Sequence, residues 1–415
     1  MLLVNNENKV KSQPTQEVLR GRNILCFSHD WTGDPLSKTH LMRVLSKDNK
    51  ILWTNAIANR MPTASTKDVK RIFIKLKRFT EPVKEVEPNI FVLSPLAIPT
   101  YGSSLVRGFN QRFLLSQVKK AMRNLGFENP LNMVFNPAAG LLAGKLNESE
   151  IIYYCVDDYT EFTGVAKGLK EIEQELFRKA DLVIVSAEKL FDDKKKYNEN
   201  THIIRHGTDW RHFRKSLDDA MEIPAEIKEL PKPIIGFHGL LADWVDYELI
   251  KKIAEKYKNG SVVLIGKIAV DAEQKVKVLD NVKNVYFLGR KPYETLPNYC
   301  KGFDVALNPF IINNLTLAAN PLKVREYLAA GLQTVSTDIP EVRSLKHCLV
   351  GENHEHFIEQ IENALNNPID KEIISDEIKH ESWDAKVDEL RAVIEKTRGQ
   401  RKGEMEGQGE GAKGR

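Results

Sequence analysis

The chain has 415 residues, 42% of them hydrophobic and 28% charged, with a net charge of +4. That length supports two domains with a core each, and the charge is too small for the concentrated basic face of a nucleic-acid binder. No apolar run approaches the ~18 residues needed to cross a bilayer. The opening MLLVNNENKVKSQPTQ has no basic start ahead of a long apolar stretch, so no signal peptide is read there and a cytoplasmic location is expected. Cys26, Cys155, Cys300 and Cys348 are far apart and form no C-x-x-C pair, which predicts reduced thiols rather than disulfides or a zinc site.

Residues 1–20 are polar and unpatterned and are expected to be disordered. From Asn23 onward short apolar runs alternate with amphipathic stretches. Strands are predicted at 23–28, 50–54, 89–93, 131–135, 150–154, 181–186 and 201–204. Helices are predicted between them, at 37–47, 104–122, 168–180 and 187–196. Runs such as DLVIVS are apolar on successive residues, the pattern of strands covered on both faces by helices. This first unit is placed at 21–208. Residues 209–232, charged and carrying Pro224 and Pro231, read as a linker. A second series follows at 233–380, with strands at 234–237, 261–265, 284–288, 303–307, 333–337 and 347–350. Its helices are predicted near 246–257, 293–301, 321–330, 340–345 and 354–366. A last helix is expected at 381–398. The tail 399–415, RGQRKGEMEGQGEGAKGR without its first residue, is Gly-rich and charged and is expected to be disordered. The fold class is therefore α/β, with two Rossmann-like doubly wound domains. Ligands of such folds bind beyond the carboxyl ends of the strands, so two facing domains make a cleft.

Several nucleotide motifs are missing. No G-x-G-x-x-G follows a strand, residues 140–146 (GLLAGKL) have the wrong spacing for a P-loop, and Asp157-Asp158 is not a D-x-D metal motif. No metal site is expected.

The informative stretch is 318–338, AANPLKVREYLAAGLQTVSTD. Pro321 suits the first turn of a helix. Lys323 and Glu326, three apart, share one face of it. Gly331 ends it before a buried strand. Free amides at a helix start together with a lysine make an anion site suited to a diphosphate. A glutamate one turn further in can accept hydrogen bonds from both ribose hydroxyls. The plainer reading of Lys323 and Glu326 is a surface ion pair.

Residues 320–337 resemble the nucleotide-sugar motif of the GT-B glycosyltransferases, specifically the group 1 (family 4-like) set. Residues 24–54, 206–213 (HGTDWRHF) and 235–250 (IGFHGLLADWVDYELI) are similar to other segments of that family, in the right order. The resemblance implies a GT-B fold with a cleft between the domains and a helix at Trp383 that returns to the first domain. It implies a hexosyltransferase that takes a nucleoside-diphosphate sugar, UDP- or GDP-linked, with no further cofactor and no metal. The acceptor is implied to be a saccharide or lipid-linked saccharide of a bacterial surface polysaccharide. By resemblance Glu326 holds the ribose and Lys323 the diphosphate. Asn320, Pro321 and Leu322 line the same pocket, and Gly239 lets backbone approach the phosphates. One departure stands out: Ala318 occupies the position of an earlier glutamate common in the family, which puts its usual retaining chemistry in question.

Candidate catalytic residues lie after first-domain strands. His29 and Asp30 read either as a base with its orienting carboxylate or as a loop-stabilising pair. Asp157 and Asp158 read as an acceptor-activating base or as caps. His206 reads as a hinge residue at the crossover. The stretch 67–79, KDVKRIFIKLKRF, carries six Lys/Arg; it reads as an amphipathic helix on the sheet, as a peripheral membrane contact, or as both. Two other functions fit the same plan. A non-hydrolysing sugar-nucleotide epimerase would isomerise donor without acceptor. A non-catalytic GT-B-like subunit would bind donor without turnover.

Overall fold

The computed structural model describes residues 18–57, 79, 81–159 and 166–411, with side chains up to residue 400. The stretch 67–79 thus lies outside the described residues except for Phe79. Among the described residues two sheets form. The first contains β1 (Asn23–Phe27), β2 (Lys50–Thr54), β3 (Lys84–Glu87), β4 (Ile90–Leu93), β5 (Leu131–Val134), β6 (Glu150–Cys155), β7 (Leu182–Val185) and β8 (Thr201–Ile203), in the order β3-β4-β2-β1-β5-β6-β7-β8. All of its pairings are parallel except β3 with β4. The second contains β9 (Ile234–His238), β10 (Ser261–Ile265), β11 (Val285–Gly289), β12 (Val305–Asn308), β13 (Thr334–Thr337) and β14 (Cys348–Gly351). Its order is β11-β10-β9-β12-β13-β14, parallel throughout. Both sheets reverse strand order beside their first strand, the crevice where doubly wound folds bind ligands. These are the two α/β domains that the apolar runs predict.

The period of two along each strand explains the burial. In β1, Leu25 and Phe27 join one core while Ile24 and Cys26 join another on the opposite face. The second domain closes around a single core that includes Ile235, Phe237, Val263 and Val335. Trp383, Val387, Leu390 and Ile394 of the last helix pack in the first domain, with Trp383 stacked on His40 at 5.8 Å. The four thiols are free, three of them buried.

Five segments differ from expectation. Edge strand β3, KEVE, has one apolar residue and so gives no hydrophobic signal; its charges blunt the sheet edge. Residues 209–232 are folded onto the second domain rather than spanning a gap. Phe213 of the Trp210–Phe213 turn and Ile227 of the Ala225–Lys228 turn are fully buried in its core. The last helix runs from Trp383 to Gly411, past 399 where disorder is expected, continuing the turns that Trp383, Val387, Leu390 and Ile394 anchor in the first-domain core. At the other end Leu19, inside the 1–20 segment, is buried, and its carbonyl accepts from Asn49 Nδ2. The 340–345 helix is a single turn at Pro340–Val342.

Candidate functional site

The donor-side residues converge. Strand β9 ends at His238, and Gly239 follows with φ +144°. A Cβ on Gly239 would lie 1.7 Å from Lys323 Cε, so the lysine stem fills the space that the missing side chain leaves. Lys323 lies in the first turn of the Leu322–Ala329 helix, where no side chain caps the opening amides. Its ammonium sits 6.0 Å from the Phe237 ring centre and 5.8 Å from that of Phe310. Burial lowers its pKa, against the pull of Glu326.

Glu326 lies one turn on, its side chain 13% exposed. Burial pushes its carboxyl up to about 7, with Lys323 opposing the rise. Among the described residues Lys323 and Glu326 form no ion pair within 4 Å, so the surface-pair reading does not describe them. His238 Nε2 lies 3.9 Å from Glu326 Oε2, and burial holds that ring neutral, with a pKa of about 3. Nε2 of His238 has no hydrogen-bond partner among the described residues. Its ring is fixed between Phe213, stacked at 5.8 Å, and Tyr327, edge-on at 4.5 Å.

Gly239, Leu322, Lys323, Glu326 and His238 line a cavity of about 260 Å³, closed from the first domain by Asp34, Pro35 and Leu36. Arg290, just beyond β11, bridges the two domains at its mouth: Nη2 lies 2.6 Å and Nε 3.0 Å from the Asp34 carboxylate. A carboxyl and an ammonium that form no ion pair with each other, set one turn apart in a cavity at the strand ends, suit a ligand that carries both hydroxyls and phosphates.

Asn320 has a different place from the one expected. Its amide donates to the Ser186 carbonyl at 2.6 Å, its Oδ1 accepts from Arg325 at 2.5 Å, and its own carbonyl accepts from His206 Nδ1 at 3.0 Å. All three ties hold the domain junction, where Arg325 is fully buried and reaches Glu381 at 3.4 Å. Asn320 is therefore tied into the junction and does not line the cavity. Pro321 is the residue that precedes the helix, not part of its first turn, and of the 320–322 segment Leu322 is the one that lines the cavity. Ala318 is buried among first-domain side chains.

Across the cleft the four acceptor-side candidates separate. His29 bonds through Nδ1 to Ser28 Oγ at 3.1 Å and through Nε2 to Thr39 Oγ1 at 3.4 Å. Asp30 instead accepts from the backbone of Ala56 at 3.2 Å, so the two do not form a base-and-carboxylate couple. Burial, with Lys38 adding to it, drives the His29 pKa down to about 3, which makes it a weak base. Asp158 is ion-paired with Lys194 at 3.1 Å, both side chains mostly buried. Among the described residues Asp157 has no such partner in contact; burial lifts its pKa, while the ammonium of Lys38 pulls it down. Lys38, 8% exposed at the start of the Ser37–Leu45 helix, carries no sequence signal that sets it apart from the other lysines. His238, Arg290 and Asp34 were equally silent, since their roles depend on partners far away in the chain.

With this geometry in place, residues 232–367 match the family model described as "Glycosyl transferases group 1". The chain is 22% identical over 276 residues to TuaH of Bacillus subtilis (strain 168), whose description makes it a glycosyltransferase of teichuronic acid biosynthesis. That match spans 63% of this chain and 66% of TuaH. Among solved structures, sucrose-phosphate synthase from Thermosynechococcus elongatus superposes with a TM-score of 0.66 at 14% identity, covering 91% of this chain and all of the other. HepE from Anabaena, in complex with UDP and glucose, gives 0.59 at 13%, covering 89% of this chain and 99% of the other.

Proposed function

We propose that this chain is a group 1 glycosyltransferase, matched to that family over residues 232–367 and folded as GT-B over its described residues, and that it moves a sugar from a UDP- or GDP-linked donor onto a saccharide or lipid-linked saccharide acceptor in cell-surface polysaccharide synthesis. The observation that carries the donor half is the unpaired Lys323 and Glu326 in one interdomain cavity. Glu326 takes the ribose hydroxyls. Lys323 and the helix amides stabilise the charge that develops on the diphosphate as the bond to the sugar breaks. HepE is solved with UDP and glucose, which supports a nucleotide donor for the same fold. The polysaccharide context rests on TuaH. A peripheral membrane contact through 67–79 and a cytoplasmic location belong to the same reading; no helix among the described residues is long and apolar enough to cross a membrane.

On the acceptor side Asp157 is the base this reading selects. The acceptor oxygen bonds to the sugar carbon, its proton passes to the Asp157 carboxylate, and the electron pair of the broken bond leaves with the diphosphate. Asp158 is committed to Lys194 and His29 is too weakly basic. Asp157→Asn should therefore lower kcat by ~10²–10⁴-fold with donor affinity unchanged, whereas Asp158→Asn should act on stability. The assay is nucleoside-diphosphate release with analysis of the sugar product. Transfer to a saccharide that stops in Asp157→Asn supports the proposal. Donor isomerised without acceptor would assign an epimerase, and donor bound without turnover a non-catalytic subunit.

A further inference from the structure

The Ser104–Leu125 helix buries one face of the first domain, through Asn110, Leu114, Val118, Ala121 and Met122. The opposite stripe, at spacings of three and four, reads Leu105, Phe109, Arg112, Ser116, Lys119 and Arg123, and every member is exposed. Leu105 is 84% and Phe109 53% exposed, unusual for apolar side chains of this size in a position free to be polar. Phe109 stacks on Phe113 at 5.6 Å, and Phe113 meets Phe79 at 6.2 Å, so the apolar end is a cluster rather than isolated residues. The helix has no acidic residue, and Arg112, Lys119 and Arg123 have no acidic partner among the described residues. An apolar tip followed by unneutralised cations matches the chemistry of an anionic bilayer surface, where alkyl and aromatic groups enter the interface and cations meet headgroups.

Topology places this tip at the cleft. The helix follows β4, which runs parallel to β2 and, through it, to β1. Its first turn therefore lies at the carboxyl-end rim of the sheet, the same rim that carries His29 and Asp157. We propose that the outer face of the Ser104–Leu125 helix docks the first domain on a membrane containing anionic lipid, with Leu105 and Phe109 as the inserted residues. This rests on the lipid-linked acceptor reading: such an acceptor keeps its lipid in the bilayer while its saccharide enters the cleft from that rim.

The test is co-sedimentation of the full chain with vesicles of equal parts phosphatidylglycerol and phosphatidylcholine, and with phosphatidylcholine alone. Binding to the anionic vesicles is expected, weakened by salt. Leu105→Glu/Phe109→Glu and Arg112→Gln/Lys119→Gln/Arg123→Gln should each weaken it by about tenfold or more. Donor-nucleotide binding should be unchanged in both variants, which reports that they are folded. Wild type that ignores anionic vesicles, or variants that bind them as wild type does, would overturn the proposal. So would concentration-dependent dimerisation lost in the Leu105/Phe109 variant without any vesicle binding, which would assign the face to a second copy. Because vesicle binding is read without donor or acceptor, its failure leaves glycosyl transfer standing, and failure of transfer leaves the vesicle result readable.

Discussion

Glu326→Ala should weaken binding of the nucleoside-diphosphate sugar by about 100-fold or more, the loss of two hydrogen bonds to a charged acceptor at ~1.5–3 kcal/mol each. The ligand-free protein should show a second signature. The folded-state carboxyl is raised to about 7 by burial, so its contribution to stability is present at low pH and is lost as pH rises from the ordinary carboxylate range through about 7. Glu326→Gln removes that loss. Its melting temperature relative to wild type should therefore increase between pH 5 and pH 8, while donor affinity falls. Calorimetric melting at the two pH values, with titration of donor, reads both effects. A variant destabilised equally at pH 5 and pH 8 would show that Glu326 fastens the fold instead of waiting for a ligand.

Lys323→Met should lower kcat by ~10²–10³-fold with a smaller change in donor affinity. Methionine keeps an unbranched stem in the slot beside Gly239 and removes only the ammonium. That ammonium rests on two aromatic faces and has no carboxylate within 4 Å among the described residues, so the fold loses little when it goes. The diphosphate loses the cation that meets its growing charge. Single-turnover kinetics separates the two terms. Equal losses in ground-state binding and in k cat/KM, with the chemical rate intact, would assign Lys323 to binding alone.

How far the sequence carried depended on whether a signal was local. Strand β7 is apolar on every residue and β10 on every residue but Ser261, as two covering layers require, and both were legible. The Leu322–Ala329 helix was legible too, because the spacing of Lys323 and Glu326 and the terminating Gly331 lie within one short stretch. Side-chain commitments across long separations were not. Asn320 spends its amide on Ser186, 134 positions earlier, and Arg290 meets Asp34 across 256 positions. Nothing beside either residue announces its partner. Asp157 and Asp158 are adjacent and alike in sequence, yet it is Asp158 that pairs with Lys194, 36 positions on. Edge strand β3 escaped because its one apolar residue, Val86, is exposed, and the 209–232 segment because its charged residues mask the few that anchor it, among them Phe213 and Ile227.

The interdomain cavity is read as a nucleotide-sugar site. The direct measurement is calorimetric titration of the wild-type chain with UDP- and GDP-linked sugars. One nucleotide should bind saturably at one site per chain, stabilising the protein by about 2.7 kcal/mol at 100 times the dissociation constant. Well-folded protein that binds none of them would contradict it.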